Sequence, residues 1–426
     1  MKFKIKKISY LILLLIITLS LLVLLIIKFD YQANKIKYKD KFSNKVFTVF
    51  ISLPDKIKST LMIFTGKRSF NNLFNDYNVK FLPETEYFQL DFKKFKTSFD
   101  KSLSKTFFIE IFQDNLFLVS KSGEFYKADL LEIKNNRINK ITEKIVINNL
   151  KKNNENIVIN DILVIDDKIF VLKASENTQN NNCKLEIYYS NINKVFNFNH
   201  FKTFNECGTG LVAGGMQKYF FDNKPGILIS TVSSDSSSNS KAQNDNSIFG
   251  KIIFVDFETK RVIKISKGHR NPQGLAVKEN IILSTEHGPK GGDEINKIIN
   301  GKNYGWPISS YGLPYKNEKN VKFEKSHAIK GFQEPIYVFL SAVGISELIF
   351  LPNSFHPEWI DNVLVSSLNG RSIFRIKFSD TNYDKVLYIE KIFIGERIRD
   401  IKYSLNQNFI VLALEDTGIL GVLDIK

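Results

Sequence analysis

Three short blocks decide the fold: residues 268–276 read GHRNPQGLA, residues 284–296 read STEHGPKGGDEIN, and residues 301–307 read GKNYGWP. All three are rich in glycine and proline, which favour tight turns and allow the backbone to approach other groups closely. They also contain hydrogen-bond donors suited to an acceptor-rich ligand and paired acids suited to a hard cation. The blocks therefore predict loops that surround a ligand pocket.

Five polar side chains are the main donors. Arg270, Asn271 and Gln273 lie within four positions, and the rigid Pro272 turn can direct them toward one ligand. Further along the chain, Arg397 and Arg399 alternate by two. On a strand both would point to one face, where guanidinium groups can bind carboxylates bidentately. This pattern favours an anionic ligand.

Outside these blocks, the chain from about residue 87 onward alternates short strand patterns with turns, and no segment after residue 85 has a long helical period. The predicted strands include residues 107–112, 116–121, 157–165, 168–172, 226–232, 251–257, 280–284, 362–367, 372–378 and 409–414. A closed ring would leave few exposed edges. The sequence therefore predicts an all-β propeller, with repeats too divergent to count blades.

In order and spacing, the three blocks resemble the signature of the quinoprotein glucose/sorbosone dehydrogenase family. That family includes soluble glucose dehydrogenases and aldose sugar dehydrogenases, which use pyrroloquinoline quinone (PQQ) with Ca²⁺. The resemblance covers roughly residues 205–426 and includes ERIRDI at residues 396–401. It implies a six-bladed β-propeller over residues 85–426.

The resemblance also implies roles for individual residues. The implied cofactor-binding positions are Arg270, Asn271, Gln273, His287, Asp293, Arg397 and Arg399. The backbone carbonyls of Gly288 and Pro289 match those that hold the catalytic calcium. Glu294 and the carbonyl of Tyr304 match a second, structural calcium site.

The sequence departs from the family at the catalytic base. Active members pass a hydride to the quinone while a histidine takes the hydroxyl proton, and that histidine precedes a glycine pair. Here the pair is Gly214-Gly215, and Val212 occupies the histidine position. His200 would need a large loop rearrangement to replace it and is expected to be an ordinary, partly exposed histidine. Asn369 also stands where some relatives carry a lysine that pairs with the quinone.

The N-terminus predicts a membrane anchor. Residues 8–27 form an uncharged run of 20 residues, which as a helix rising about 1.5 Å per residue would cross a hydrocarbon core of roughly 30 Å. No cleavage site follows, so an uncleaved signal anchor is favoured over a signal peptide. The predicted organisation is an anchor (1–28), a juxtamembrane spacer (29–84) and the propeller. Flanking lysines alone do not favour an extracytoplasmic (periplasmic) propeller, but the family resemblance does.

The charge distribution and the cysteine content argue against a nucleic-acid-binding protein and against a CxxC zinc or redox protein. The formal charge is +16, but lysines are scattered along the chain without a basic helix or an RNA-binding motif, so no nucleic-acid partner is expected. Cys183 and Cys207 are the only two cysteines and form no CxxC motif. A disulfide and two buried thiols are both compatible with this spacing.

Two functions remain in competition. The first is a PQQ- and Ca²⁺-dependent oxidoreductase that oxidises an aldose sugar or another alcohol. The second is a propeller that keeps the scaffold but acts as a ligand-binding or envelope-associated module, which Val212 favours. A calcium-dependent hydrolase ranks last, because the sequence offers no triad or paired-carboxylate motif.

Overall fold

The structure is a computed structural model that describes residues 83, 85–101, 104–177, 183–204, 206, 213–234, 240–316, 318 and 321–425. The chain divides into residues 1–79 and residues 80–426, and the described residues belong to the second unit. Among them, no helix is long and apolar enough to cross a membrane. The predicted anchor at residues 8–27 lies outside the described part of the chain.

Short strands dominate the described part of the chain. They are β1 (Leu90–Thr97), β2 (Phe107–Phe112), β3 (Asn115–Ser120), β4 (Phe125–Asp129), β5 (Lys140–Ile141), β6 (Glu143–Lys144), β7 (Val146–Asn148), β8 (Glu155–Ile165), β9 (Lys168–Asn177), β10 (Cys183–Asn191), β11 (Val195–Asn197), β12 (Asn199–Phe204), β13 (Ala213–Phe221), β14 (Lys224–Thr231), β15 (Lys251–Asp256), β16 (Val262–Lys267), β17 (Pro272–Lys278), β18 (Ile281–Glu286), β19 (Asp293–Lys297), β20 (Tyr337–Phe339), β21 (Ile345–Phe350), β22 (Val363–Ser367), β23 (Ser372–Phe378), β24 (Val386–Phe393), β25 (Ile398–Ser404), β26 (Phe409–Leu414) and β27 (Ile419–Ile425). The helices are α1 (Leu130–Lys134) and the 3₁₀ turns Ser98–Lys101, Ala328–Lys330 and Pro357–Trp359. The predicted all-β class is confirmed.

In the described residues, six antiparallel arrays of four strands form the blades of a propeller, and the sheet of the sixth blade also includes β5, which pairs with β1 in parallel. In chain order they are β2-β3-β4-β6, β8-β9-β10-β12, β13 to β16, β17 to β20, β21 to β24, and β25-β26-β27-β1. The sixth blade closes the ring, because β1 from the start of the described chain pairs with β27 from its end, from Leu90 opposite Ile425 to Phe95 opposite Leu420. The family-implied count of six blades is therefore correct.

Apolar clusters between neighbouring blades hold the ring together. Each of the six large clusters joins two adjacent blades; for example, Phe107 of the first blade and Phe409 of the sixth share one cluster. Aromatic side chains fill much of this space, and many of these core residues are fully buried. The closed ring leaves only the outer strand of each blade as a sheet edge.

The propeller axis carries a buried acidic cluster. The innermost strands, β2, β8, β13, β17, β21 and β25, contact one another around the ring. Four of them contribute Glu110, Asp161, Glu347 and Asp400, and Lys402 lies 3.3 Å from Glu110. Burial raises the pKa of Asp161 to about 8 and that of Asp400 to about 6, although Lys402 opposes both shifts. Burial also raises the pKa of Glu347 well above its ordinary value.

This axial acidic cluster predicts that stability falls as pH rises from 6.5 to 8. In the folded chain Asp161 keeps its proton up to about pH 8, whereas in the unfolded chain it loses the proton near pH 4. Its stabilising effect is therefore complete below pH 4, decreases as the pH rises, and is lost above about pH 8. Asp161 should lower the free energy of unfolding by about 1.4 kcal/mol per pH unit within that window, whereas Asp400, with a pKa of about 6, acts mainly below it. Urea unfolding at several pH values measures this slope. His287 does not interfere, because its own change lies between pH 6.5 and about 4.

Asp161→Asn should reduce that slope by about 1.4 kcal/mol per pH unit, because the amide mimics the protonated carboxyl and can still accept the hydrogen bond from the Met216 N–H. Asp222→Asn, in an exposed turn, is the matched control and should leave the slope unchanged. An unchanged slope in Asp161→Asn would show that Asp161 is ionised in the folded chain.

Candidate functional site

The three glycine-rich blocks meet at one end of the fourth blade. Antiparallel pairing places the start of β17 beside the end of β18 and the start of β19, with Pro272 opposite Glu286 and Glu286 opposite Glu294. Residues just outside these strand ends therefore lie at one edge of the blade. Glycine is needed nearby, because a Cβ on Gly214 of β13 would lie 2.1 Å from the Pro272 carbonyl oxygen.

A chain of hydrogen bonds connects the fourth and sixth blades at this edge. Arg399 Nη1 donates to Gln273 Oε1 at 3.2 Å, and Gln273 Nε2 donates to Asn271 Oδ1 at 2.7 Å. Asn271 Nδ2 lies 3.4 Å from His287 Nδ1. The structure thus brings together four residues that the sequence placed in one pocket although they are up to 128 positions apart.

One carboxylate binds the two arginines of the sixth blade. Glu415 Oε1 accepts from Arg397 Nε at 2.9 Å, and Glu415 Oε2 accepts from Arg399 Nε at 2.7 Å. Burial alone would raise the pKa of Glu415, but the Arg399 and Arg397 guanidinium groups outweigh it and hold the pKa below its ordinary value. The predicted common face of Arg397 and Arg399 is confirmed.

Arg270 lies deeper in the pocket. It is 8% exposed, donates through Nη1 to the His287 carbonyl at 3.1 Å, and packs over the Trp306 ring at 5.2 Å from the ring centroid. Its Nη2 lies 3.5 Å from the Tyr315 hydroxyl. Its Nε is buried and has no hydrogen-bond partner among the described residues. An anionic ligand would satisfy this donor.

His287 is a neutral imidazole in this pocket. Burial, together with the positive charges of Arg399, Arg270 and Arg397, lowers its pKa to about 4, and a hydrogen bond to the Ile345 carbonyl opposes this shift. Because that bond joins His287 Nε2 to a backbone carbonyl, Nε2 carries the proton and Nδ1 accepts from Asn271. The electrostatic influence of three arginines on one imidazole shows that their charges converge here.

Two acidic side chains, Asp293 and Glu294, lie at the start of β19. Asp293 accepts hydrogen bonds from the N–H groups of Gly288 at 3.2 Å and Gly344 at 2.6 Å, and burial raises its pKa. Glu294 is also buried, and burial together with the neighbouring Glu286 raises its pKa well above the ordinary value. Buried carboxylates of this kind fit a cation.

Within the described residues, no three His, Cys, Asp or Glu side chains converge closely enough to hold a metal ion by themselves. A cation at Gly288 and Pro289 would therefore depend on backbone carbonyls and on the ligand. Calcium accepts such oxygen ligands. The donor set is compatible with the implied calcium but does not show it.

Several predicted residues lie apart from this cluster or outside the described residues. His200 lies on β12, the outer strand of the second blade, and contacts Thr203 and the edge of the Tyr188 ring. It is exposed, as expected of an ordinary histidine. Asn369 donates to the Ala342 carbonyl at 2.6 Å. Val212 lies outside the described residues.

The structure distinguishes between a disulfide and a free thiol for one of the two cysteines. Cys183 at the start of β10 is disulfide-bonded. The other cysteine of the chain, Cys207, lies outside the described residues. The thiol alternative is therefore wrong for Cys183.

Sequence reasoning missed several neighbours of the site. Lys121 follows β3 of the first blade, where burial and the nearby Arg399 lower its pKa. Glu415 follows β26, and Tyr315 and Trp306 come from the long connection between β19 and β20. No spacing rule points to Lys121 and Glu415, because the ring brings them to the site from the first and sixth blades.

Comparison with known proteins supports the family resemblance. Residues 214–421 match the model of the Glucose / Sorbosone dehydrogenase family. The match covers slightly less than half of the 426 residues. The resemblance predicted from the sequence is thus confirmed, and the match spans the arginines of both the fourth and the sixth blades.

Individual relatives of the glucose/sorbosone dehydrogenase family agree. The chain is 28% identical over 247 residues to aldose sugar dehydrogenase YliI of Escherichia coli K12, covering 54% of this chain but 64% of that protein. It superposes on a glucose dehydrogenase crystal structure with a TM-score of 0.64 at 19% identity, covering 79% of this chain and 99% of that one. It superposes on the PQQ-bound aldose sugar dehydrogenase of Streptomyces coelicolor with a TM-score of 0.56 at 17% identity, covering 79% and 98%. The structural likenesses support the propeller fold.

Proposed function

We propose that this propeller binds PQQ with Ca²⁺ and oxidises an aldose sugar or a related alcohol. The observation that carries the proposal is the convergence of Arg270, Arg397 and Arg399, whose charges all act on His287. The carboxylate of Glu415 forms ion pairs with Arg397 and Arg399 and so offsets part of this positive charge. The excess positive charge suits a ligand with several carboxylates.

Each residue would then have a defined task. Arg397 and Arg399 would bind ligand carboxylates at the rim, and the partnerless Nε of Arg270 would donate from below. The neutral His287 would line the pocket without adding charge. The carbonyls of Gly288 and Pro289 would hold the cation. The quinone, when bound, supplies the hydride acceptor.

The second candidate is a propeller that binds its ligand without turnover. It is favoured by Val212, which cannot accept a proton at the position where active members carry a histidine. A general base typically contributes about 10²–10⁴-fold to the rate. The two candidates share the ligand and differ in catalysis.

Reconstitution tests both candidates. The full chain is incubated with PQQ and Ca²⁺, quinone binding is followed by fluorescence quenching, and dye reduction is measured with a panel of aldoses. Dye reduction that requires the sugar, the quinone and Ca²⁺ supports the oxidoreductase. Quinone binding without dye reduction supports the second candidate, and failure to bind the quinone overturns the cofactor assignment.

Arg399→Gln should weaken PQQ binding by about 10- to 100-fold, because a charge-assisted hydrogen bond contributes about 1.5–3 kcal/mol. The exposed Arg261→Gln is the matched control, since it removes the same charge far from the site. Titration of the quinone into each full-length variant measures the effect. Equal weakening by both variants would indicate a general effect of net charge rather than a contact.

We also propose that residues 8–27 anchor the chain in the membrane with the propeller on the extracytoplasmic side. The support is the length and apolarity of that run and the family resemblance. Alkaline phosphatase and green fluorescent protein fused to the C-terminus report opposite locations. If the green fluorescent protein fusion fluoresces and the alkaline phosphatase fusion is inactive, the propeller lies in the cytoplasm and the proposed orientation is wrong.

A further inference from the structure

The first blade places a lysine next to the arginines of the sixth blade. The antiparallel pairing of Phe107 with Ser120 continues by one more pair, because the Lys121 N–H donates to the Thr106 carbonyl at 3.2 Å. Residues directly opposite each other in such a pair have their side chains on the same face, with Cβ atoms about 4.5–5.5 Å apart. The side chains of Thr106 and Lys121 therefore point in the same direction.

That direction is toward Glu415 and Arg399. The Thr106 hydroxyl donates to Glu415 Oε2 at 3.3 Å, and the same oxygen accepts from Arg399 Nε at 2.7 Å. Arg399 also donates to Gln273 of the fourth blade at 3.2 Å. Lys121 thus lies near the arginine that connects the donors of the fourth blade with those of the sixth.

The ammonium group of Lys121 has no carboxylate of its own. Lys121 is half-buried, and among the described residues its side chain forms neither a hydrogen bond nor an ion pair. Glu415 is already shared by the two arginines of the sixth blade, and Asp416 pairs with Arg371. A half-buried cation in this position suits an anionic ligand.

The surroundings of Lys121 make its charge sensitive to an added anion. Burial lowers the pKa of Lys121 most, Arg399 lowers it further, and Glu415 opposes both effects. On β8, whose backbone bonds to the Lys121 carbonyl, the acids Glu155 and Asp161 accept hydrogen bonds from other residues. A ligand carboxylate beside this ammonium would favour its charged form.

We propose that Lys121 is a further ligand-binding residue, which forms an ion pair with a carboxylate of PQQ next to Arg399. The inference rests on the proposed function, because the ligand it concerns is the quinone. Asn369, where some relatives carry a lysine, lies between β22 and β23 of the fifth blade, so Lys121 brings a cation from a different blade. The ligand then meets donors from the first, fourth and sixth blades, which favours a polycarboxylate over a monocarboxylate.

Titration of PQQ into the full chain with Ca²⁺, followed by fluorescence quenching, tests this contact. Lys121→Met should weaken binding by about 10- to 100-fold near neutral pH, the usual effect of losing a hydrogen bond between charged groups. Lys121→Arg keeps the charge and should bind nearly as well as the wild type. Lys134→Met is the matched control, since it removes an exposed lysine at the opposite end of the first blade and should leave the affinity unchanged. Circular dichroism of each variant excludes unfolding.

The pH dependence separates an ion pair from a structural role. Lys121 loses its charge as the pH rises, whereas an arginine stays protonated, so the ratio of the PQQ dissociation constants of wild type and Lys121→Arg should increase between about pH 7 and about pH 10. Groups that titrate in both proteins cancel in this ratio. A constant ratio, or equal affinities of Lys121→Met and Lys134→Met, would overturn the inference and leave the proposed function intact. Failure of the wild type to bind PQQ would instead overturn the cofactor assignment, and this inference with it.

Discussion

Replacing Val212 by histidine is expected to raise the turnover of the PQQ-loaded chain by about 10²–10⁴-fold, the usual contribution of a general base. Valine offers no lone pair, so the substrate hydroxyl must otherwise lose its proton to water. An imidazole at this position would accept that proton while the hydride leaves the carbon. The change adds one functional group and leaves the arginine contacts intact.

The surroundings of this position favour the experiment. Gly214, two residues further on, packs closely against the backbone of Pro272 and Gln273, so β13 begins at the edge of the site. Arg399 donates to the same Gln273 side chain. The described start of β13 therefore lies beside residues proposed to bind the quinone.

Steady-state dye reduction with saturating aldose measures the gain. Val212→Gln is the matched control, because glutamine is polar and of similar size but cannot take a proton near neutral pH. In the histidine variant, the rate should rise with pH through the pKa of the new imidazole, ordinarily about 6.5. Equal rates for wild type and both variants would show that a different group already serves as the base.

Local patterns predicted the strands well because strand formation depends on neighbouring residues. The predicted bounds of β2, β23 and β26 agree with the structure, since each is a short β-branched or aromatic run between turn residues. The ring closure could not be predicted in this way. The pairing of β1 with β27 joins residues from opposite ends of the described chain, and no local pattern encodes such a partner.

The candidate site likewise combines residues that a local sequence pattern reveals with residues that only the fold brings together. Arg270, Asn271 and Gln273 are adjacent in sequence and could be recognised as one donor group. Glu415, which fixes the arginines of the sixth blade, follows an ordinary buried strand and carries no signal of its own. Lys121 was missed for the same reason, because its position near Glu415 is visible only in three dimensions.

Arg375→Met is expected to lower the free energy of unfolding by about 3–5 kcal/mol, because it leaves Glu390 buried without its partner. Arg375 is 1% exposed; its Nε donates to Glu390 at 2.5 Å and its Nη1 to Asn362 at 2.9 Å. Its guanidinium also lies 5.3 Å from the ring centroids of Tyr87 and Trp359. Methionine has a similar length but cannot replace these bonds.

The effect should extend to the closure of the ring. Glu390 also accepts from the Glu86 N–H at 2.5 Å, so the same carboxylate holds the segment that leads into β1. Urea unfolding of the full chain measures the loss, and Lys377→Met, an exposed change on the same strand, is the matched control. Adding Glu390→Gln to Arg375→Met should recover part of the stability, because it removes the unpaired charge. A loss no larger than that of Lys377→Met would show that the buried pair within the fifth blade contributes little to stability.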